Sequence, residues 1–125
     1  MKTFKKYYHF DAPPEQVYAA LTYAPTIQLW SGEPAVMSTE PSSEFSLWSD
    51  SIVGKNLEFV PDKKIVQEWY FGEQPEPSIV TIILHKDKGG TSLELRHTGI
   101  PDEDYDDIVD GWNINYFGSL EDFFD

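Results

Sequence analysis

The sequence predicts an α+β domain in which a curved antiparallel sheet of six to seven strands closes on one long C-terminal helix, with two short helices after the first strand. Three observations predict it. Residues 35–98 fall into short runs of alternating apolar and polar positions broken by turn residues, as consecutive strands do. Residues 102–124 switch to three- and four-residue spacing, which gives a helix a single apolar stripe. A sheet with one apolar face and a rod with one apolar stripe can bury both by closing on each other. At 125 residues the chain has the size of one domain, 1–125, and can bury about two-thirds of its unfolded surface without disulfides or metals.

The elements follow in order. Residues 2–10 alternate, with Phe4, Tyr8 and Phe10 on one face and Thr3, Lys5 and His9 on the other. Asp11-Ala12-Pro13-Pro14-Glu15 marks a helix start, because a first turn has no partner for the N–H that proline lacks. Val17 and Leu21, with Tyr18 beside them, give that helix its apolar side. Pro25 interrupts it, and a second short helix is expected from Thr26 to Trp30. In the meander, Phe45 and Leu47 alternate with Ser46 and Trp48, and Ser49-Asp50-Ser51 makes a turn. Leu57 and Phe59 alternate with Glu58, and Pro61-Asp62-Lys63 makes the next turn. Ile65, Gln67, Trp69 and Phe71 then share the face opposite Val66, Glu68 and Tyr70, and Gly72 to Pro77 reads as a loop.

Ser78–Lys86 and Thr91–Thr98 flank Asp87-Lys88-Gly89-Gly90, a strong hairpin signal. Placing Lys88-Gly89 at the tip pairs Leu84 with Leu93, Ile82 with Leu95 and Val80 with His97. That nearly apolar face is the inner one. The opposite face carries Thr81, His85, Glu94 and Arg96 and is expected to be solvated, although Ile79 and Ile83 lie there too. After Gly99-Ile100-Pro101, the helical stripe is Tyr105, Ile108, Trp112, Tyr116, Leu120 and Phe123 or Phe124. Asp102, Glu103, Asp104, Asp106 and Asp107 complement the positive end of the helix dipole. Glu121, Asp122 and Asp125 oppose its other end, so fraying is expected there.

Charge and composition exclude several functions. The formal net charge of −13 repels phosphate backbones and anionic membrane surfaces, so neither nucleic acid nor membrane is an expected partner. The chain has no cysteine, which removes disulfides and thiolate chemistry. Its start, MKTFKKYYHF, lacks the apolar core of a signal peptide, and the longest apolar run, Ile79 to Leu84, is interrupted by Thr81 and too short to cross a bilayer. A cytoplasmic protein is the simplest expectation.

No metal, cofactor or catalytic group is predicted. His9, His85 and His97 are the only histidines, and the hairpin register sends His85 outward and His97 inward. The acidic run from Asp102 to Asp107, with Asp110, lacks the spacing of a calcium loop. No Gly-x-Ser-x-Gly elbow occurs, and Glu58, Glu68 and Glu94 all point outward. What the pattern does offer is an apolar cavity between sheet and helix. Its lining would be Phe45, Leu57, Phe59, Ile65, Trp69, Ile82, Leu95, Trp112 and Tyr116, with Gln67 and His97 as polar contacts that orient a small apolar ligand. The plainer alternative makes the aromatic set, Trp30, Trp48, Trp69, Tyr105, Trp112, Tyr116 and Phe117, ordinary core, with both polar residues satisfied internally. Gly111 and Gly118 lie seven apart in the long helix, which points to close approach of helix and sheet or to room for a guest.

Glu44-Phe45-Ser46-Leu47-Trp48, then Ile52-Val53-Gly54-Lys55-Asn56-Leu57, resembles the SRPBCC superfamily, and within it the group named after the activator of heat-shock-protein-90 ATPase, in its C-terminal-domain-like form. Lys63-Lys64-Ile65-Val66-Gln67-Glu68-Trp69, Gly90-Thr91-Ser92-Leu93-Glu94-Leu95 and Gly111-Trp112 support the resemblance, which is carried by residues 44–118. It implies a helix-grip fold, as in START domains and the birch-pollen-allergen proteins. It also implies one of three functions: a non-catalytic holder of small apolar ligands, a chaperone-interacting or other protein-binding domain, or a polyketide cyclase or dehydratase. The protein-binding reading would use the acidic surface or the outward Ile79 and Ile83, and the enzyme reading would need His97. The turn before Ile52 departs from the family: it has Asp50 where glycine is usual, and Asp tolerates positive φ better than most residues. The sequence carries no signature of an oligomeric state.

Overall fold

Proline placement sets the first turn of the molecule. In the computed structural model, which describes residues 1–72, 74 and 76–125, β1 (Lys2–Phe10) leads through Pro13 into α1 (Pro14–Thr22). Pro25 does not interrupt a helix but sits in the first turn of α2 (Ala24–Ser31), where its missing N–H leaves no bond unmade. The segment expected to start the meander at residue 35 is largely irregular, with one bridge between Val36 and Ser46.

Five strands follow: β2 (Glu44–Leu47), β3 (Ile52–Val60), β4 (Lys64–Trp69), β5 (Ser78–Asp87) and β6 (Gly90–Ile100). Of the expected loop from Gly72 to Pro77, residues 73 and 75 lie outside the described residues. All neighbours are antiparallel, in the order β1-β6-β5-β4-β3-β2. The hairpin register holds: Leu84 pairs with Leu93, Ile82 with Leu95 and Val80 with His97. Lys88 and Gly89 both have positive φ at its tip, the geometry that matches strand twist.

Two expectations for the sheet need correction. In β3, Asn56 pairs with Gln67 and Glu58 with Val66, so Leu57 is the extra residue of a β-bulge. The bulge resets the alternation: Asn56 faces inward before it, Phe59 packs against the core after it, and Leu57 is half-buried outside the core. Glu94 does face outward, but it is 6% exposed rather than solvated. Arg96 Nε donates to it at 2.6 Å, with His85 Nε2 at 3.5 Å and Lys5 Nζ at 3.9 Å. Burial alone would raise the Glu94 pKa; hydrogen bonds from Arg96 and His85 and the charges of Arg96 and Lys5 outweigh it and hold the carboxyl below its usual range.

The C-terminal rod is helical but not uniform. A 3₁₀ turn (Asp102–Asp104) opens it, then come α3 (Tyr105–Asp110), a wide π turn (Gly111–Tyr116) and α4 (Phe117–Phe124). Across the wide turn, Phe117 N–H bonds to the carbonyl of Trp112, five residues back. That residue of slack advances the apolar stripe. Trp112 and Tyr116 are 2% and 4% exposed, and Phe117, Leu120 and Phe124 continue the stripe while Phe123 is 40% exposed. The expected fraying is absent up to Phe124, whose ring meets Phe10 edge-on at 6.2 Å.

Candidate functional site

Trp112 occupies the centre of the space between sheet and rod. Its ring stacks on Trp69 (centroids 4.7 Å apart, 27° between planes) and on Phe117 (5.2 Å, 15°). The wide turn makes the second contact possible by placing residues five apart on one side of the helix. The Trp112 indole N–H donates to His97 Nδ1 at 3.0 Å. An indole nitrogen only donates, so Nδ1 is the unprotonated nitrogen and Nε2 carries the hydrogen. Nε2–H then donates to Ser78 Oγ at 2.7 Å, and the Ser78 hydroxyl to the Thr98 carbonyl at 3.3 Å. Burial pushes the His97 pKa down to about 3, so the ring stays neutral at pH 7.

A second polar chain starts at Trp69. Its indole N–H donates to Gln67 Oε1 at 3.1 Å, and Gln67 Nε2 donates to Asn56 Oδ1 at 3.0 Å. Asn56 Nδ2 donates in turn to the Ser38 carbonyl and Ser43 Oγ, both at 3.1 Å, which ties the irregular 35–43 segment to the sheet. Among the described residues, every fully buried side-chain nitrogen or oxygen has a hydrogen-bond partner. Gln67 and His97 do point inward, as the alternation implies, but their polar atoms are committed to the protein.

At one end the packing opens. The β2–β3 turn and the rod stand apart around a half-open cleft with a volume of about 410 Å³. Trp48, Ser51 and Ile52 form one wall, Trp69 and Trp112 the inner end, and Asp107, Ile108, Gly111, Asn115 and Tyr116 the helical wall. Of the eleven residues expected to line a cavity, Trp69, Trp112 and Tyr116 line this cleft. Phe45, Ile65, Gln67, Ile82, Leu95 and His97 are buried interior, Phe59 packs against the core, and Leu57 sits at the bulge. The cause is the Trp69–Trp112–Phe117 stack, which occupies the space a central cavity would need.

In the wall opposite the rod, Trp48 and Ser51 belong to the β2–β3 turn and Ile52 opens β3. Trp48, Ser49 and Asp50 all have positive φ (51°, 52° and 70°), an uncommon run for residues with side chains. Asp50 accepts the geometry as expected, and its carboxylate takes a hydrogen bond from Ser46 Oγ. A sequence signal for the helical wall existed: Ile108, Trp112 and Tyr116 recur at four-residue steps beside Gly111. The two helix glycines act differently from each other. A Cβ on Gly111 would meet nothing within 4 Å, so this glycine keeps the cleft wide rather than letting sheet and helix touch. A Cβ on Gly118 would lie 2.8 Å from the Asn113 carbonyl, a contact within the rod created by the wide turn. Among the described residues, no three His, Cys, Asp or Glu side chains are grouped to hold a metal, and no helix is long and apolar enough to cross a membrane.

A family model described as "Activator of Hsp90 ATPase homolog 1-like protein" matches residues 11–125. The human "Activator of 90 kDa heat shock protein ATPase homolog 1" is 30% identical over 117 residues, covering 92% of this chain and 35% of that protein. The Dictyostelium discoideum homolog is 29% identical over 123 residues, covering 96% and 32%. The chain therefore spans about a third of the length of the curated relatives it matches. A crystal structure from Plasmodium falciparum, PFC0360w, described as an HSP90 activator, superposes with a TM-score of 0.89 at 28% identity, covering 98% of this chain and 96% of that one. CalU16 from Micromonospora echinospora shares the fold, with a TM-score of 0.84 at 23% identity, covering 98% and 75%.

Proposed function

We propose, from the premise that this chain belongs to the activator of Hsp90 ATPase homolog 1-like family, that it is a binding domain for an Hsp90-type ATPase. One observation carries this reading: the likeness to the Plasmodium Hsp90 activator runs over nearly the whole of both chains at 28% identity. The net charge of −13 fits a domain steered onto a basic patch of a partner. The test is calorimetric titration of the chain into a purified Hsp90 at low and high salt, with ATP turnover followed in parallel. Saturable binding that weakens with salt is expected, with a change in turnover. No heat and no change in turnover at low salt would overturn the reading.

A second reading, a small apolar molecule held by the protein, is favoured by the cleft. Its volume of about 410 Å³ falls among small-ligand sites, roughly 300–1,000 Å³. Native mass spectrometry of protein purified from its own host tests it: a copurified small molecule supports the reading, and a bare chain counts against it. The cyclase or dehydratase reading needs His97 as an acid or base, and both of its ring nitrogens are already engaged.

A further inference from the structure

The cleft has a chemical polarity that narrows what it could take. We propose that it binds a small organic cation: a flat apolar body seated between Trp48, Ile52 and Ile108, with an ammonium or amidinium group at the Asp107 carboxylate. This deepens, and rests on, the small-molecule reading of the cleft.

Three observations lead there. The lining includes one carboxylate, Asp107, and no basic side chain. Asp107 makes no ion pair among the described residues, and it stands in a helix start that also carries Asp102, Glu103, Asp104, Asp106 and Asp110. A carboxylate-headed amphiphile would meet that field as repulsion, and a cation as attraction. The third observation is Tyr116. The residue is 4% exposed, yet its hydroxyl has no hydrogen-bond partner among the described residues. Every fully buried polar side-chain atom there has one, so this oxygen retains solvent contact, and the cleft is the opening that Tyr116 lines. Burial pushes the phenol pKa up, so the group stays protonated and offers one donor and two lone pairs to a guest. Trp112 offers little ring surface to a guest, being 2% exposed and stacked on Trp69 and Phe117. Charge recognition therefore falls to the Asp107 carboxylate, with Tyr116 fixing orientation.

The test uses one flat body with three heads: 2-naphthylmethylamine, 2-naphthylmethanol and 2-naphthoate, titrated against the whole chain by calorimetry. Amide and indole N–H shifts locate the site. The amine should bind about fivefold more tightly than the alcohol at low salt, and the advantage should shrink as salt rises. The carboxylate should bind most weakly. Asp107→Asn, at an exposed position whose side chain makes no hydrogen bond or ion pair among the described residues, should remove the amine's advantage and leave alcohol affinity unchanged. Tyr116→Phe should weaken the amine roughly two- to tenfold. An amine no tighter than the alcohol would overturn the charge assignment while the cleft reading stands. Failure of all three to shift cleft resonances would overturn both.

Discussion

The two sides of Trp112 differ sharply. Towards the sheet, its indole N–H meets His97, and the polar atoms beyond it are paired to the last hydrogen. Towards the β2–β3 turn the wall parts, and Ser51, Asn115 and Tyr116 line the opening. A closed interior accepts buried polar groups when each satisfies another, because an unpaired one costs about 1–3 kcal/mol. An open end needs no such pairing, since water or a guest supplies the partner. The stack of Trp69, Trp112 and Phe117 is the partition between the regimes.

Breaking the partition gives the largest expected effect. Trp112→Ala should cost about 3–5 kcal/mol in urea unfolding, because it empties the centre of the core and orphans His97 Nδ1. If it cost no more than a surface substitution, the partition would not be structural. Gly54→Ala probes the closed side next. A Cβ there would lie 2.1 Å from the Glu68 carbonyl and 2.8 Å from the Phe45 ring, which lies across the glycine. A loss of about 1–3 kcal/mol is expected by the same measurement.

Much of this was readable in advance, for physical reasons that also mark where reading stops. Period-two alternation fixed the inward placement of Ile65, Gln67, Ile82, Leu95 and His97, and the Lys88-Gly89 tip fixed the hairpin register. Alternation failed at Leu57, because a bulge is one inserted residue with no composition of its own. It also gave Asn56 no weight, although that amide joins Gln67 to the 35–43 segment. The helical stripe was legible through Leu120 to Phe124, but not the added Phe117, because five-back hydrogen bonding leaves no mark in sequence. The cleft was the least legible feature. Its outer wall hangs on the positive φ of Trp48 and Ser49, two residues that carry no general signal for that conformation.

Acid should separate the regions by chemistry rather than by mutation. His97 has a folded pKa of about 3, below its ordinary value of 6.5. The stability due to its neutral burial is therefore full above pH 6.5 and lost as pH falls towards 3, at up to about 1.4 kcal/mol per pH unit. Glu94, also depressed, begins to lose its contribution only below the ordinary carboxyl value of 4.5. Between pH 6.5 and 5, then, the decline belongs to the closed side. Urea midpoints measured at half-unit steps should fall across that window, and His97→Gln should flatten the slope. An equally steep slope in the variant would remove His97 from the account.

The smallest effect has the opposite sign. Gly111 faces the cleft, and a Cβ there meets nothing within 4 Å. Glycine inside a helix is worse than alanine by about 1 kcal/mol, so Gly111→Ala should raise stability by up to that amount. The same methyl would narrow the cleft beside Ile108 and Trp112. A gain in melting temperature together with weaker uptake of a cleft probe would mean that glycine stands there for the opening and not for the fold. A loss of stability would mean that the wide turn cannot carry the extra carbon, and the open side would then be as tightly constrained as the closed one.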